Sequence, residues 1–129
     1  MNTILVEVSV GELLDKISIL EIKKEKIKDS EKLKFINDEY EVLKDQLDKN
    51  VKSDEKIDKL FQSLKEINAK LWIIEDDKRL CEKNSDFSEK FIKLSRDVHF
   101  LNDDRGKIKL EINHHTGSKI KEIKKYTNY

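Results

Sequence analysis

Polar and charged side chains recur at helical spacing along this chain, and their types are those that bind ligands or fix the register of packed helices. Residues three, four or seven apart share one face of a helix. One such set lies in each of three stretches: Glu21 and Lys24; Asn68, Glu75, Arg79 and Glu82; and Ser95, Asn102, Arg105 and Lys109. If these faces meet, they form a cluster of carboxylate, guanidinium and amide groups.

Two interpretations of this cluster remain open, beside simple exposure to solvent. Buried charges cost several kcal/mol per ion unless they are paired, so a fully paired cluster would be a structural network that fixes helix register. Alternatively, the cluster binds an anionic or sugar ligand, with Arg79 or Arg105 as the clamp. The residues predicted to line that site are Glu21, Asn68, Glu75, Arg79, Asn102 and Arg105.

No pattern in the sequence predicts a catalytic centre, a metal site or a cofactor. The acidic runs 75–77 and 103–104 lack the paired Glu-x-x-Glu and Glu-x-x-Asp spacing with which helical pyrophosphatases hold Mg²⁺. His114 and His115 are adjacent, so they point about 100° apart on a helix and do not readily face one metal. There is no glycine-rich phosphate loop. We therefore expect a protein that is not an enzyme.

Composition limits the class of protein further. The chain has 129 residues, of which 42% are charged, with 27 basic and 27 acidic side chains. This length suits one domain, and balanced charge argues against nucleic acid as the main partner. The absence of a signal peptide or a long apolar run favours a cytoplasmic protein without a membrane partner. The single Cys, Cys81, falls at an apolar helical position and is expected to pack rather than react.

Apolar periodicity predicts four helices. An extended arm or short strand covers residues 1–9, and the helices cover 10–28, 31–49, 54–83 and 87–115, with a basic tail at 118–129. Ser9 with Glu12, and Asp86 with Glu89, have the spacing of capping boxes. The steps of three and four in the two long helices are typical of left-handed bundle packing.

The predicted architecture is an all-α, antiparallel bundle of four helices, built from a short hairpin and a long hairpin whose two helices are joined by a turn at 84–86. The long hairpin extends about three turns beyond the short one. Its apolar surface at Leu71, Trp72 and Ile73 exceeds what one internal seam needs, which predicts an interface there. We therefore expect a homodimer.

Several long motifs resemble an uncharacterised bacterial helical family, the domain of unknown function numbered 6165. They are VSVGELLDKISILEIKKEKI, INAKLWIIEDDKRLCE, DFSEKFIKL, NDDRGKIKLEIN and the Lys-Tyr pair near the end. The resemblance covers nearly the whole chain and implies a small, mostly helical, single-domain protein with no assigned activity. It also implies a genetic context of sugar or surface-polysaccharide transfer.

Together these observations predict a non-enzymatic helical interaction or scaffold module that self-associates, with a protein partner as a further expectation. The alternative is a small helical enzyme or sensor that binds an anionic or sugar ligand between the first, third and fourth helices.

Overall fold

Four helices make up most of the protein. The computed structural model describes residues 2–128, in which α1 covers Val10–Lys26, α2 Ser30–Asn50, α3 Glu55–Lys83 and α4 Glu89–Thr116. No strand occurs within these residues, so the prediction of an all-α bundle is confirmed. Residues 2–8 are exposed and have no regular secondary structure, so they form an arm rather than a strand. None of the described helices combines the length and apolar character needed to span a membrane.

Side-chain caps set where the helices begin. Ser9 Oγ accepts a hydrogen bond from the Glu12 N–H at 3.1 Å, and carboxylates of Asp29 and Asp54 cap α2 and α3 in the same way. The fourth helix begins two residues later than predicted, because Asp86 does not cap it. The Asp86 carboxylate instead accepts from the Ser88 N–H at 3.1 Å, which holds the turn before α4.

The first helix lies at the centre of the fold. It packs against α2, α3 and α4, whereas α2 packs against α1 alone among the helices. Consistent with this one-sided packing, Ile36 is the only buried residue of α2. The core is formed by Leu14, Ile57, Leu64 and Ile112, where α1 meets the N-terminal part of α3 and the C-terminal part of α4.

The α3–α4 hairpin extends well beyond this core. Helix α1 has 17 residues and α3 has 29, which correspond to about 25 and 43 Å at 1.5 Å per residue. We define residues 72–101 as the distal hairpin. Within it the only buried residue is Cys81. Two helices that pack mainly against each other therefore form this part of the protein.

Candidate functional site

The N-terminus of α1 makes a close backbone contact with α4. The Gly11 N–H donates to Asn113 Oδ1 at 2.7 Å, and the Val10 N–H donates to Ser118 Oγ at 3.3 Å. A Cβ atom at Gly11 would lie 2.5 Å from the Lys109 carbonyl oxygen, closer than real Cβ contacts. Glycine is therefore needed here for helix contact, and this contact sets the register of α1 against α4.

A buried ion pair lies one turn further along α1. Arg105 binds the Asp15 carboxylate through two nitrogens. Its Nε donates to Oδ1 at 2.9 Å, and its Nη2 donates to Oδ2. The Asp15 side chain is 2% exposed and that of Arg105 is 29% exposed. Asn68 Nδ2 donates to both Asp15 Oδ1 and Ser18 Oγ, at 2.9 and 2.8 Å. Three helices are thus joined through one carboxylate.

This environment keeps Asp15 charged. Burial raises the pKa of the Asp15 carboxyl, but the hydrogen bonds from Arg105 and Asn68 and the charges of Arg105 and Lys109 outweigh burial and hold the pKa below its ordinary value. The hydrogen bonds to Asp15 correspondingly raise the pKa of Arg105. The pair is therefore ionised throughout the neutral range.

Lys109 extends the network to the C-terminal tail. Its Nζ lies 2.6 Å from Glu12 Oε2, 3.4 Å from Glu122 Oε2 and 3.8 Å from Asp15 Oδ2. Burial lowers the pKa of Lys109, but the three carboxylates more than compensate and leave it raised. Within the described residues no buried side-chain nitrogen or oxygen lacks a hydrogen-bond partner. The network is thus internally satisfied, as a structural role requires.

The structure brings some of the predicted site residues together and separates others. Asn68, Asn102 and Arg105 belong to the network, with Arg105 Nη1 donating to Asn102 Oδ1 at 3.4 Å. Glu21 lies apart from them: its carboxylate lies 3.1 Å from Lys65 Nζ and accepts from the Tyr40 hydroxyl at 3.4 Å.

Glu75 and Arg79, the remaining two, line a cavity beside the network. Neither side chain makes a hydrogen bond or an ion pair within residues 2–128.

Sequence reasoning missed the residues of α1 that anchor the network. Asp15 was not predicted, although it lies between Leu14 and Ile17 in an apolar stripe. The signal that would have revealed it is the series Gly11, Asp15, Ser18 and Ile22, at steps of four, three and four, which forms one buried face. Glu12 was predicted to complete the capping box, but its carboxylate binds Lys109 instead.

The cavity beside the network has a volume of about 430 Å³. Its apolar wall consists of Ile19, Ile22, Leu71 and Trp72. Its polar wall consists of Asn68, Glu75, Asp76, Arg79, Asn102 and Arg105. This volume lies within the range of small-molecule sites.

A second cavity, of about 390 Å³, lies between α3 and α4 in the distal hairpin. It is lined by Lys70, Ile73, Ile74, Asp97, Phe100 and Leu101. Of the three residues predicted to form an interface, Ile73 lies here and is 52% exposed, whereas Leu71 is buried within the chain and Trp72 lines the first cavity. The exposed apolar surface therefore centres on Ile73 and Phe100.

The described residues contain no group of three or more His, Cys, Asp or Glu side chains that could hold a metal ion. One of the histidines, His115, has a structural contact: its Nε2 lies 2.7 Å from Oδ2 of Asp54, the residue that caps α3. Cys81 is buried, as its apolar position predicted.

The fold and this network define a helical protein in which three helices are joined by a paired, charge-rich cluster. The chain belongs to the family of unknown function DUF6165, whose family model matches residues 4–129. The resemblance seen in the sequence motifs is thereby confirmed. No curated protein and no solved structure matches the chain.

Proposed function

We propose that this protein is a non-enzymatic helical interaction module that forms a homodimer through the distal hairpin. The observation that carries the proposal is an apolar face of this hairpin that neither of the other two helices described, α1 and α2, covers. Ile73, Leu80 and Phe100 are 52%, 50% and 42% exposed. Monomeric proteins seldom leave a continuous apolar surface of this kind uncovered.

The face lies on the side of the hairpin opposite α1. Leu64, Asn68 and Leu71 are buried and mark the side of α3 that packs within the chain. Ile73 comes two residues after Leu71, which turns it about 200° around the helix. Leu80 follows Ile73 by seven residues and so shares its side.

On α4, Phe100 precedes Arg105 by five residues, or about 140° around the helix. Arg105 points toward α1 because it binds Asp15. Phe100 and Ile73 line the same cavity from the two helices. The exposed apolar residues of α3 and α4 therefore lie side by side, as a self-complementary surface requires.

The size of the apolar surface suits a weak, reversible dimer. Ile92 adds a fourth half-exposed apolar side chain, which lines a cavity together with Phe100. Burying the exposed half of a large apolar side chain contributes about 1 kcal/mol, so four residues in each of two copies contribute on the order of 8 kcal/mol. Association costs about 4 kcal/mol or more. The difference of about 4 kcal/mol corresponds to dissociation at roughly millimolar concentration.

The charges around this surface permit two identical copies to meet. Lys70 on α3 and Asp97 on α4 lie at the rim of the cavity. A twofold axis between two copies can place Lys70 of each opposite Asp97 of the other. A rim of one sign would have opposed self-association.

Sedimentation velocity over a range of concentrations tests the proposal with a matched pair of variants. Phe100→Asp places a charge in the apolar face and should weaken the dimer at least about 30-fold, the effect of removing one central interface residue. Phe35→Asp is the control, because Phe35 is 71% exposed on α2, far from this face; it should leave the dimer unchanged. A wild-type protein that sediments as a monomer at every concentration, or a dimer lost in Phe35→Asp alone, contradicts the proposal.

A second candidate function is the binding of a small polar ligand in the 430 Å³ cavity. The observation that favours it is Arg79, a guanidinium that lines the cavity and makes no ion pair within residues 2–128. The candidate ligands are those expected from the sequence, anions and sugars. Thermal unfolding of wild type and Arg79→Met with each class tests it, since a ligand of the native state raises the midpoint. A midpoint raised equally in both proteins excludes Arg79 from the site.

A further inference from the structure

The second candidate function leaves open whether the ligand is an anion or a sugar. The charges around the cavity decide between these two classes. Arg105 uses Nε and Nη2 to bind the buried Asp15 carboxylate, so its positive charge is already neutralised. Among the described residues that line the cavity, Arg79 is then the guanidinium left to compensate Glu75 and Asp76. With two carboxylates and one such cation within residues 2–128, the cavity does not attract anions.

The shape and chemistry of the walls indicate what the cavity does accept. The Trp72 side chain contributes an aromatic surface to the apolar wall. The polar lining residues add amides, carboxylates and the Arg79 guanidinium, which together offer both donors and acceptors of hydrogen bonds. A ligand hydroxyl both donates and accepts, so several hydroxyl groups can be satisfied at once. An anionic ligand would instead meet the like charges of Glu75 and Asp76, which a single guanidinium, that of Arg79, does not outweigh.

We propose that the cavity between α1, α3 and α4 binds an uncharged polyhydroxyl ligand such as a sugar residue, with the C–H face of the ring against Trp72. Arg79 and Asn102 donate to ring hydroxyls, and Glu75 and Asp76 accept from them. This proposal rests on the second candidate function and narrows it from anions and sugars to neutral polyols.

The chain carries its own reporter for this cavity, because Trp72 is the only tryptophan. Titration of the wild-type protein with a panel of methyl hexopyranosides should change Trp72 fluorescence saturably for at least one of them. Inorganic phosphate and sulfate over the same range should not. Arg79→Met should weaken the binding about tenfold, the effect of one lost hydrogen bond to a charged donor.

Arg96→Met is the matched control. Arg96 lies on α4 outside this cavity, near the ring of Phe100, so its loss should leave the glycoside affinity unchanged. If phosphate or sulfate saturates the fluorescence change and no glycoside does, the cavity is an anion site, and only the proposed class is overturned. If none of these probes binds, both the ligand site and the proposed ligand class are overturned. If Arg79→Met and Arg96→Met weaken glycoside binding equally, the proposed contact between Arg79 and the ligand is overturned.

Discussion

Replacing Arg105 by Met removes the strongest partner of a carboxylate that has almost no access to water. The Asp15 side chain is 2% exposed, and in the variant it keeps only Asn68 as a close donor, with Lys109 Nζ at 3.8 Å. Breaking a buried pair by removing one partner costs about 3–5 kcal/mol. Because two partners remain, we expect the lower end, about 3 kcal/mol, or a fall in Tm on the order of 10 °C.

The double variant Asp15→Asn, Arg105→Met separates the unpaired charge from lost packing. It leaves no buried carboxylate, so it should be at least about 1 kcal/mol more stable than Arg105→Met, although it carries one more substitution. Urea unfolding followed by far-UV circular dichroism measures each free energy. A loss below about 1 kcal/mol in Arg105→Met, or a double variant as unstable as the sum of the single variants, would refute the view that Asp15 depends on Arg105.

Two further predictions concern the same helix contacts. Gly11→Ala should destabilise the protein by about 1–3 kcal/mol, because its Cβ would lie 2.5 Å from the Lys109 carbonyl oxygen. Gly106→Ala is the control: its Cβ would meet only the Lys124 side chain, at 3.8 Å, so it should raise the unfolding midpoint slightly. If Gly11→Ala left the free energy of unfolding unchanged, α1 and α4 would have to lie further apart than the structure places them. Since the pKa of Asp15 is lowered by folding, its ionisation contributes stability above its unfolded pKa, and this contribution is lost as the pH falls through the folded value. The higher unfolding free energy of wild type relative to Asp15→Asn should therefore disappear below about pH 4. If urea titrations showed the same difference in unfolding free energy at every pH, the ionised state of Asp15 would not be its source.

The helices were predictable from the sequence because their signals are local. Apolar residues at steps of three and four mark where the helices lie, and Ser9, Asp29 and Asp54 at N-cap positions mark where three of them begin. The start of α4 was misplaced because the Asp86 carboxylate binds the Ser88 N–H within the turn, and Ser88 takes the N-cap position without a side-chain cap hydrogen bond. The position of the N-cap therefore depends on the geometry of the turn, in which Ser85 adopts a positive φ of 52°.

The candidate site was only partly predictable because it depends on which helix faces meet. Arg105, Asn68 and Asn102 interrupt otherwise apolar faces, and this made them visible. Asp15, the shared partner of Arg105 and Asn68, looked like an ordinary charged residue of a charge-rich helix. Nothing local indicates that Gly11 allows this face to pack against α4. Conversely, Glu21 has suitable chemistry, but α1 directs it toward Lys65.

The same limit applies to the surface on which the central claim depends. Periodicity placed excess apolar surface near residues 71–73, but it could not tell which of the three residues the chain buries itself. The structure shows that Leu71 is 8% exposed while Ile73 remains half exposed.

The measurement that tests the proposed dimer most directly is the distance between spin labels on two copies of the chain. A label at Ile73→Cys, in a Cys81→Ser background, lies in the apolar face. A label at Phe35→Cys in the same background lies on the outer surface of α2. Since packed helices lie about 8–10 Å apart, dipolar spectroscopy should show a short, well-defined distance for the label at position 73 and a longer or unresolved one for position 35. No dipolar coupling at position 73, or a shorter distance at position 35, would contradict association through the distal hairpin.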